Sequence, residues 1–204
     1  YFRGHLAEGR RWVAELLART AGTETPERAK ALMAIGSIAY WQNDFAATRH
    51  FYEEGLEIFR ALEDRPGIAQ ALYNLGFVAL IEGDHELARS RFVESRALYE
   101  ALSDRMGVAN VTWGLAMRAL LTDELDEARA LGDDARRRFL DVGDWYGEFT
   151  GEFVLWEVDR RKGEWDEVAR RIYGQLDRAV RKRDPLGLAS LFEALGNIEI
   201  HRHR

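Results

Sequence analysis

Apolar side chains recur at helical spacing along most of this chain, and residues 68–82 show it most clearly. There, they stand three or four positions apart, which places them on one face of an α-helix. Gly83-Asp84 interrupts the pattern, and residues 85–102 then resume it with a second apolar face. The two segments predict a helical hairpin. The positions on the first face are Ile68, Ala71, Leu72, Leu75, Val78 and Ala79.

This hairpin pattern repeats every 40 residues. Asp64, Asp104, Asp144 and Asp184 are each followed three residues later by a glycine, and 104−64, 144−104 and 184−144 all equal 40. We expect each aspartate to cap the helix that follows it and each glycine to allow close approach of neighbouring backbones. Such a period is typical of repeat arrays. The sequence predicts one domain, 1–204, with full repeats at 28–64, 66–104, 106–144 and 146–184.

Partial repeats are predicted at both ends, over residues 1–22 and 186–204. Residues 5–20 align with a second helix of the hairpin, and residues 186–202 align with a first helix. Natural arrays commonly close with polar capping segments, and neither end has that character. We therefore expect that the chain was cut from a longer array.

Composition narrows the classes of function. The net charge is −6 with both signs mixed along the chain, which argues against a nucleic-acid surface. There is no cysteine and no apolar run of about 18 residues, so we expect no disulfide, no membrane span and a cytoplasmic location.

Candidate catalytic chemistry is sparse. The five histidines lack a shared ligand spacing, and His201 and His203 stand two apart, so they would not share one helix face. The chain contains no Gly-x-Ser-x-Gly elbow and no Gly-rich phosphate loop that ends in Lys-Ser or Lys-Thr. We expect no enzyme activity, no cofactor and no metal.

The second full repeat resembles the tetratricopeptide repeat (TPR), whose pattern is W-x2-L-G-x2-Y, then A-x3-F, then P. The matching residues are Leu72, Leu75, Gly76, Ala79, Ala88 and Phe92, while Glu100 stands where the pattern has proline. The resemblance implies an all-α, right-handed superhelix of antiparallel hairpins, with longer helices because the period is 40 instead of 34. RGHLAEGRRW and LGFVALIEGDHELARSRF resemble the TPR region of large bacterial ATP-binding signalling and transcription regulators of the LuxR-type or cyclase-linked kinds.

In TPR arrays the first helix of each hairpin lines a concave groove, so the resemblance also implies a binding surface. An alternative is that these residues pack against the next first helix. A carboxylate clamp is not expected, because the clamp's asparagine positions hold other residues. The implied groove residues are Met33, Ser37, Tyr40, Trp41, Tyr73, Phe77, Leu80, Trp113, Met117, Leu120, Phe153, Arg160 and Arg161, with Lys30, Gln70, Ile81, Asn110 and Leu121 at equivalent positions.

The fourth repeat departs from the pattern. Trp156 stands at a small-residue position, Val168 replaces the facing alanine, and Asp159 occupies an apolar position. Two bulky residues at a close helix contact predict a local change of curvature. Arg160 and Arg161 make this end charged: they either contact an acidic partner or belong to a solvated surface.

The sequence therefore predicts a non-catalytic interaction or sensing module within a larger bacterial signalling or transcription regulator. Its apolar groove would bind a peptide, a helix or a partner domain. Two alternatives stay open: a receptor for a small apolar ligand or signalling peptide, and a homo-oligomerisation module that forms a homodimer.

Overall fold

The computed structural model describes residues 2–20, 22–183, 187–189, 191–192 and 195–196, with side chains from residue 8 onward. The described residues form α-helices and no strand, which confirms the predicted all-α class. Adjacent helices are joined by short turns, mostly of three residues. The helices are α1 (Phe2–Arg19), α2 (Pro26–Trp41), α3 (Phe45–Ala61), α4 (Arg65–Ile81), α5 (His85–Ala101), α6 (Arg105–Leu121), α7 (Leu125–Asp141), α8 (Trp145–Arg161) and α9 (Trp165–Lys182).

The chain divides into two compact units, Tyr1–Gly114 and Leu115–Arg204, and the division falls inside α6. In the first unit α2 packs against α3 and α4 against α5, while α3 also contacts α4. In the second unit α8 packs against both α7 and α9. Each predicted full repeat contains one pair of helices, and most of the predicted partial repeat at 186–204 lies outside the described residues. No helix of the described ranges is long and apolar enough to span a membrane.

The turns repeat every 20 residues, half the period of the sequence pattern. The residue just before each capping position has a positive φ, which is the left-handed backbone that commonly ends a helix. Glycine occupies only some of these positions, so the turns are poorly marked in the sequence. The residues are Asn43, Glu63, Gly83, Ser103, Asp123, Gly143, Gly163 and Arg183.

A matched pair of substitutions tests these turns. Gly83→Ala should lower the free energy of unfolding by about 1 kcal/mol, because alanine strains the left-handed backbone at φ 80°. Ser103→Gly, at φ 56°, should raise it by about 0.5 kcal/mol because it relieves such strain. Urea denaturation measures both, and two changes of the same sign would contradict this account of the turns.

The predicted helix caps are confirmed for the described aspartates. Asp64 accepts a hydrogen bond from the Gly67 amide at 3.1 Å, and Asp104 accepts one from the Gly107 amide at 2.9 Å. Asp144 caps α8 through the Tyr146 amide. Each carboxylate thus satisfies an amide that the helix leaves free. Asp184 lies outside the described residues.

The glycine that follows each cap has a different role from the one expected. A methyl group on Gly67 would overlap the ring of Phe59, and the same holds for Gly107 with Tyr99 and for Gly147 with Phe139. The nearest atoms are ring carbons from the preceding helix, so the expected approach of two backbones is wrong. The absence of a side chain makes room for an aromatic ring.

A second set of glycines receives a ring within the hairpin itself. Tyr52 packs on Gly36 and Phe92 packs on Gly76, in both cases so closely that a methyl group would overlap the ring. Phe92 also lies near Gly114, where an added Cβ would stand 2.8 Å from the ring. Phe92 is fully buried and fills the space between these helices.

Carboxylates replace apolar residues in the packing of α8. Asp159 is fully buried at a position that holds alanine in the earlier repeats, and it pairs with Arg129 of α7 and Arg171 of α9, the latter at 2.7 Å. Glu148 is 3% exposed and pairs with Arg178 of α9 at 2.5 Å. Ion pairs therefore join α8 to its neighbours where the other repeats use apolar contacts.

Candidate partner-binding surface

Three aromatic side chains of the first unit lie together on the first helices of their hairpins. The ring centroids of Tyr73 and Phe77 are 5.1 Å apart, and those of Phe77 and Trp113 are 5.2 Å apart. All three side chains are partly exposed. We call Tyr73, Phe77 and Trp113 the aromatic wall.

The repeat explains why the aromatic wall forms. Tyr73 and Phe77 stand four residues apart on α4 and therefore point the same way. Trp113 follows Tyr73 by 40 residues, so α6 presents it at the equivalent position of the next first helix. The buried ring of Phe92 supports the wall, with its centroid 6.2 Å from Tyr73 and 5.2 Å from Phe77.

Two more apolar residues extend this surface at the ends of first helices. Trp41 ends α2 and is 73% exposed, and Ile81 ends α4 and is 43% exposed. They occupy equivalent positions, since 81−41 is 40. Tyr40 contacts Trp41 edge to face, with centroids 5.6 Å apart. We call Trp41 and Ile81 the terminal pair.

Other predicted groove residues of the first unit lie deeper. Met33 and Leu80 are buried, and the sulfur of Met33 faces Gly55 of α3. Ser37 is half-buried and its hydroxyl lies 3.0 Å from that of Tyr52. These three side chains support the hairpins, and the aromatic wall and terminal pair carry the open apolar surface.

The predicted groove residues of the second unit have mixed surroundings. Leu120 is buried, Met117 is half-buried, and Phe153 is partly exposed with its ring centroid 5.5 Å from that of Trp156. Arg160 pairs with Glu157, whose oxygen lies 2.8 Å from Nε.

Arg161 is held in three ways. It donates to the carbonyl of Leu120 at 2.7 Å, lies 3.3 Å from Asp123, and also pairs with Glu157. Burial alone would raise the pKa of Glu157, but the hydrogen bonds and charges of Arg160 and Arg161 outweigh it and lower that pKa. Both guanidinium groups therefore already have anionic partners.

The polar atoms near the aromatic wall are hydrogen-bond donors without described acceptors. The hydroxyl of Tyr73 makes no hydrogen bond within the described ranges, and burial raises its pKa, so it stays protonated. The indole Nε1 of Trp113 is buried and has no acceptor among the described residues. A buried donor without a partner costs about 1–3 kcal/mol. The sequence pattern identified these rings but did not indicate their polar atoms.

A surface pocket of about 610 Å³ lies in the second unit, at the start of α9. Charged side chains dominate its lining, and Arg129 there already pairs with Asp159 and Glu164. The aromatic wall and terminal pair are therefore the stronger candidate site. The lining residues are Arg129, Gly163, Glu164, Trp165, Asp166 and Glu167.

Tandem helical hairpins with an apolar face on their first helices define a helical-repeat protein. The tetratricopeptide repeat family model matches residues 27–101 and 67–141, which together cover more than half of the chain. The chain belongs to the tetratricopeptide repeat family. No curated protein sequence matches it.

Solved structures share the fold at low identity. The apo form of RapI aligns with a TM-score of 0.78 at 13% identity, covering 98% of this chain and 80% of that chain. A Rap protein complexed with Competence and Sporulation Factor gives a TM-score of 0.77 at 14% identity, covering 94% and 55%. Aspartyl phosphate phosphatase F from Bacillus subtilis gives 0.75 at 13%, covering 84% and 48%. The chain spans about half the length of the last two proteins.

Proposed function

We propose that this chain is a non-catalytic interaction module that binds a peptide or partner segment on the aromatic wall and the terminal pair. We further propose that it serves as the sensing region of a larger cytoplasmic bacterial signalling or transcription regulator. The observation that carries the proposal is the shared position of these apolar side chains on the open side of successive first helices. Contiguous exposed apolar surface of this kind commonly marks an interaction site.

The structural neighbours support the proposal by analogy. One Rap protein of the same fold was solved in complex with Competence and Sporulation Factor. Another neighbour is named a phosphatase, but the candidate surface of this chain consists of aromatic and aliphatic side chains. Such groups suit the burial of apolar partner side chains, and they supply no nucleophile or general base.

Selection from a phage library of random 12-residue peptides tests this function. The intact chain should enrich peptides, and the Trp41→Ala/Ile81→Ser variant should bind them at least tenfold more weakly because it loses two exposed apolar anchors. Leu87→Ala/Val93→Ser is the matched control, since it removes two exposed apolar residues from α5. Equal loss in both variants, or no enrichment at all, would contradict the proposal.

A further inference from the structure

The charge around the aromatic wall favours one class of peptide. Among the groove positions of the first unit, Lys30 is the single charged residue, and α4 contains no aspartate or glutamate. Lys30 is exposed and forms no ion pair within the described ranges. A partner segment with basic residues would meet this charge unfavourably, whereas an acidic side chain would meet it favourably.

The polar atoms of the wall indicate the backbone form of the partner. Tyr73 offers a hydroxyl donor without a described acceptor, surrounded by apolar rings. An extended peptide has free main-chain carbonyls that can accept this hydrogen bond. A helical partner uses most of its carbonyls within the helix, and it would leave the Tyr73 hydroxyl facing apolar side chains.

We propose that the aromatic wall binds an extended apolar peptide segment of a partner protein, in which a main-chain carbonyl accepts a hydrogen bond from the Tyr73 hydroxyl and an acidic side chain faces Lys30. This inference rests on the proposed function and specifies the ligand of the same surface. Trp41 and Ile81 bury apolar side chains of the segment, and Tyr73 and Lys30 select its backbone form and its charge.

The same 12-residue library is the probe. Peptides enriched by the intact chain should be rich in leucine and aromatic residues, poor in lysine and arginine, and should contain aspartate or glutamate. For the strongest of these peptides, Tyr73→Phe should weaken binding about fivefold, because the ring stays and one hydrogen bond is lost. Lys30→Glu should weaken it about tenfold through charge reversal, and a repeated selection on this variant should lose the acidic preference.

Proline substitution in the peptide separates an extended segment from a helix. A central proline is compatible with an extended backbone but breaks a helix, so at least one central position should accept proline with less than a threefold loss of affinity. Loss above tenfold at every central position would overturn the inference in favour of a helical partner.

The failure of this inference is distinguishable from failure of the proposed function. If Trp41→Ala/Ile81→Ser abolishes binding while Tyr73→Phe and Lys30→Glu leave it unchanged, the surface binds peptides and the ligand class is wrong. If the intact chain enriches no peptide, both proposals fall. Circular dichroism of each variant shows whether the fold is kept, and neither Tyr73→Phe nor Lys30→Glu removes a described hydrogen bond.

Discussion

Arg178→Leu is expected to lower the free energy of unfolding by about 3 kcal/mol, since it leaves Glu148 buried without its cationic partner. Glu148 is 3% exposed, and both guanidinium nitrogens of Arg178 bind its carboxylate, at 2.5 and 2.6 Å. Loss of one partner from a buried ion pair typically costs about 3–5 kcal/mol. The lower figure applies because Arg178 is partly open to solvent.

The chain supplies its own control for this substitution. Residues 68 and 98 stand 80 positions before 148 and 178, and there Ile68 and Leu98 form partly buried apolar contacts. The double variant Glu148→Ile/Arg178→Leu transplants that apolar pair and should recover most of the lost stability. Urea denaturation of the single and double variants measures both effects. A double variant no more stable than Arg178→Leu would show that the charge does not cause the loss.

Phe92→Ala is expected to cost about 3–5 kcal/mol, which is typical for a buried phenylalanine. Its ring fills the space left by Gly76 and Gly114 and supports Tyr73 and Phe77, so alanine leaves a cavity under the aromatic wall. Val93→Ala is the neighbouring control, because Val93 is exposed and should change stability by less than about 0.5 kcal/mol. Equal effects of the two substitutions would contradict the assigned packing.

The fold was largely predictable, because its signals are local and repeat. Asp64, Asp104 and Asp144 cap helices as their spacing predicted. The 20-residue period of the turns was hidden, because the left-handed position accepts residues as different as Glu63 and Ser103. The glycines were found, but their role depends on a ring from another helix, which periodicity does not locate.

The candidate site was less predictable, since helical periodicity assigns a residue to a face without giving its depth. Tyr73, Phe77 and Trp113 come together on one surface, whereas Met33 and Leu80 on the same predicted face are buried by neighbouring packing. The partners of a charged residue are also set by tertiary structure. The change of curvature expected at Trp156 remains a prediction.

The most direct test of the binding surface is a peptide titration followed by the tryptophan indole signals of the ¹⁵N-labelled chain. The indole N–H groups report on separate places, since Trp41 and Trp113 belong to the candidate surface and Trp156 and Trp165 pack in the second unit. With a peptide selected on the intact chain, the signals of Trp41 and Trp113 should shift while those of Trp156 and Trp165 stay in place. Shifts confined to Trp156 and Trp165 would contradict the assignment of the partner-binding surface to the aromatic wall and the terminal pair.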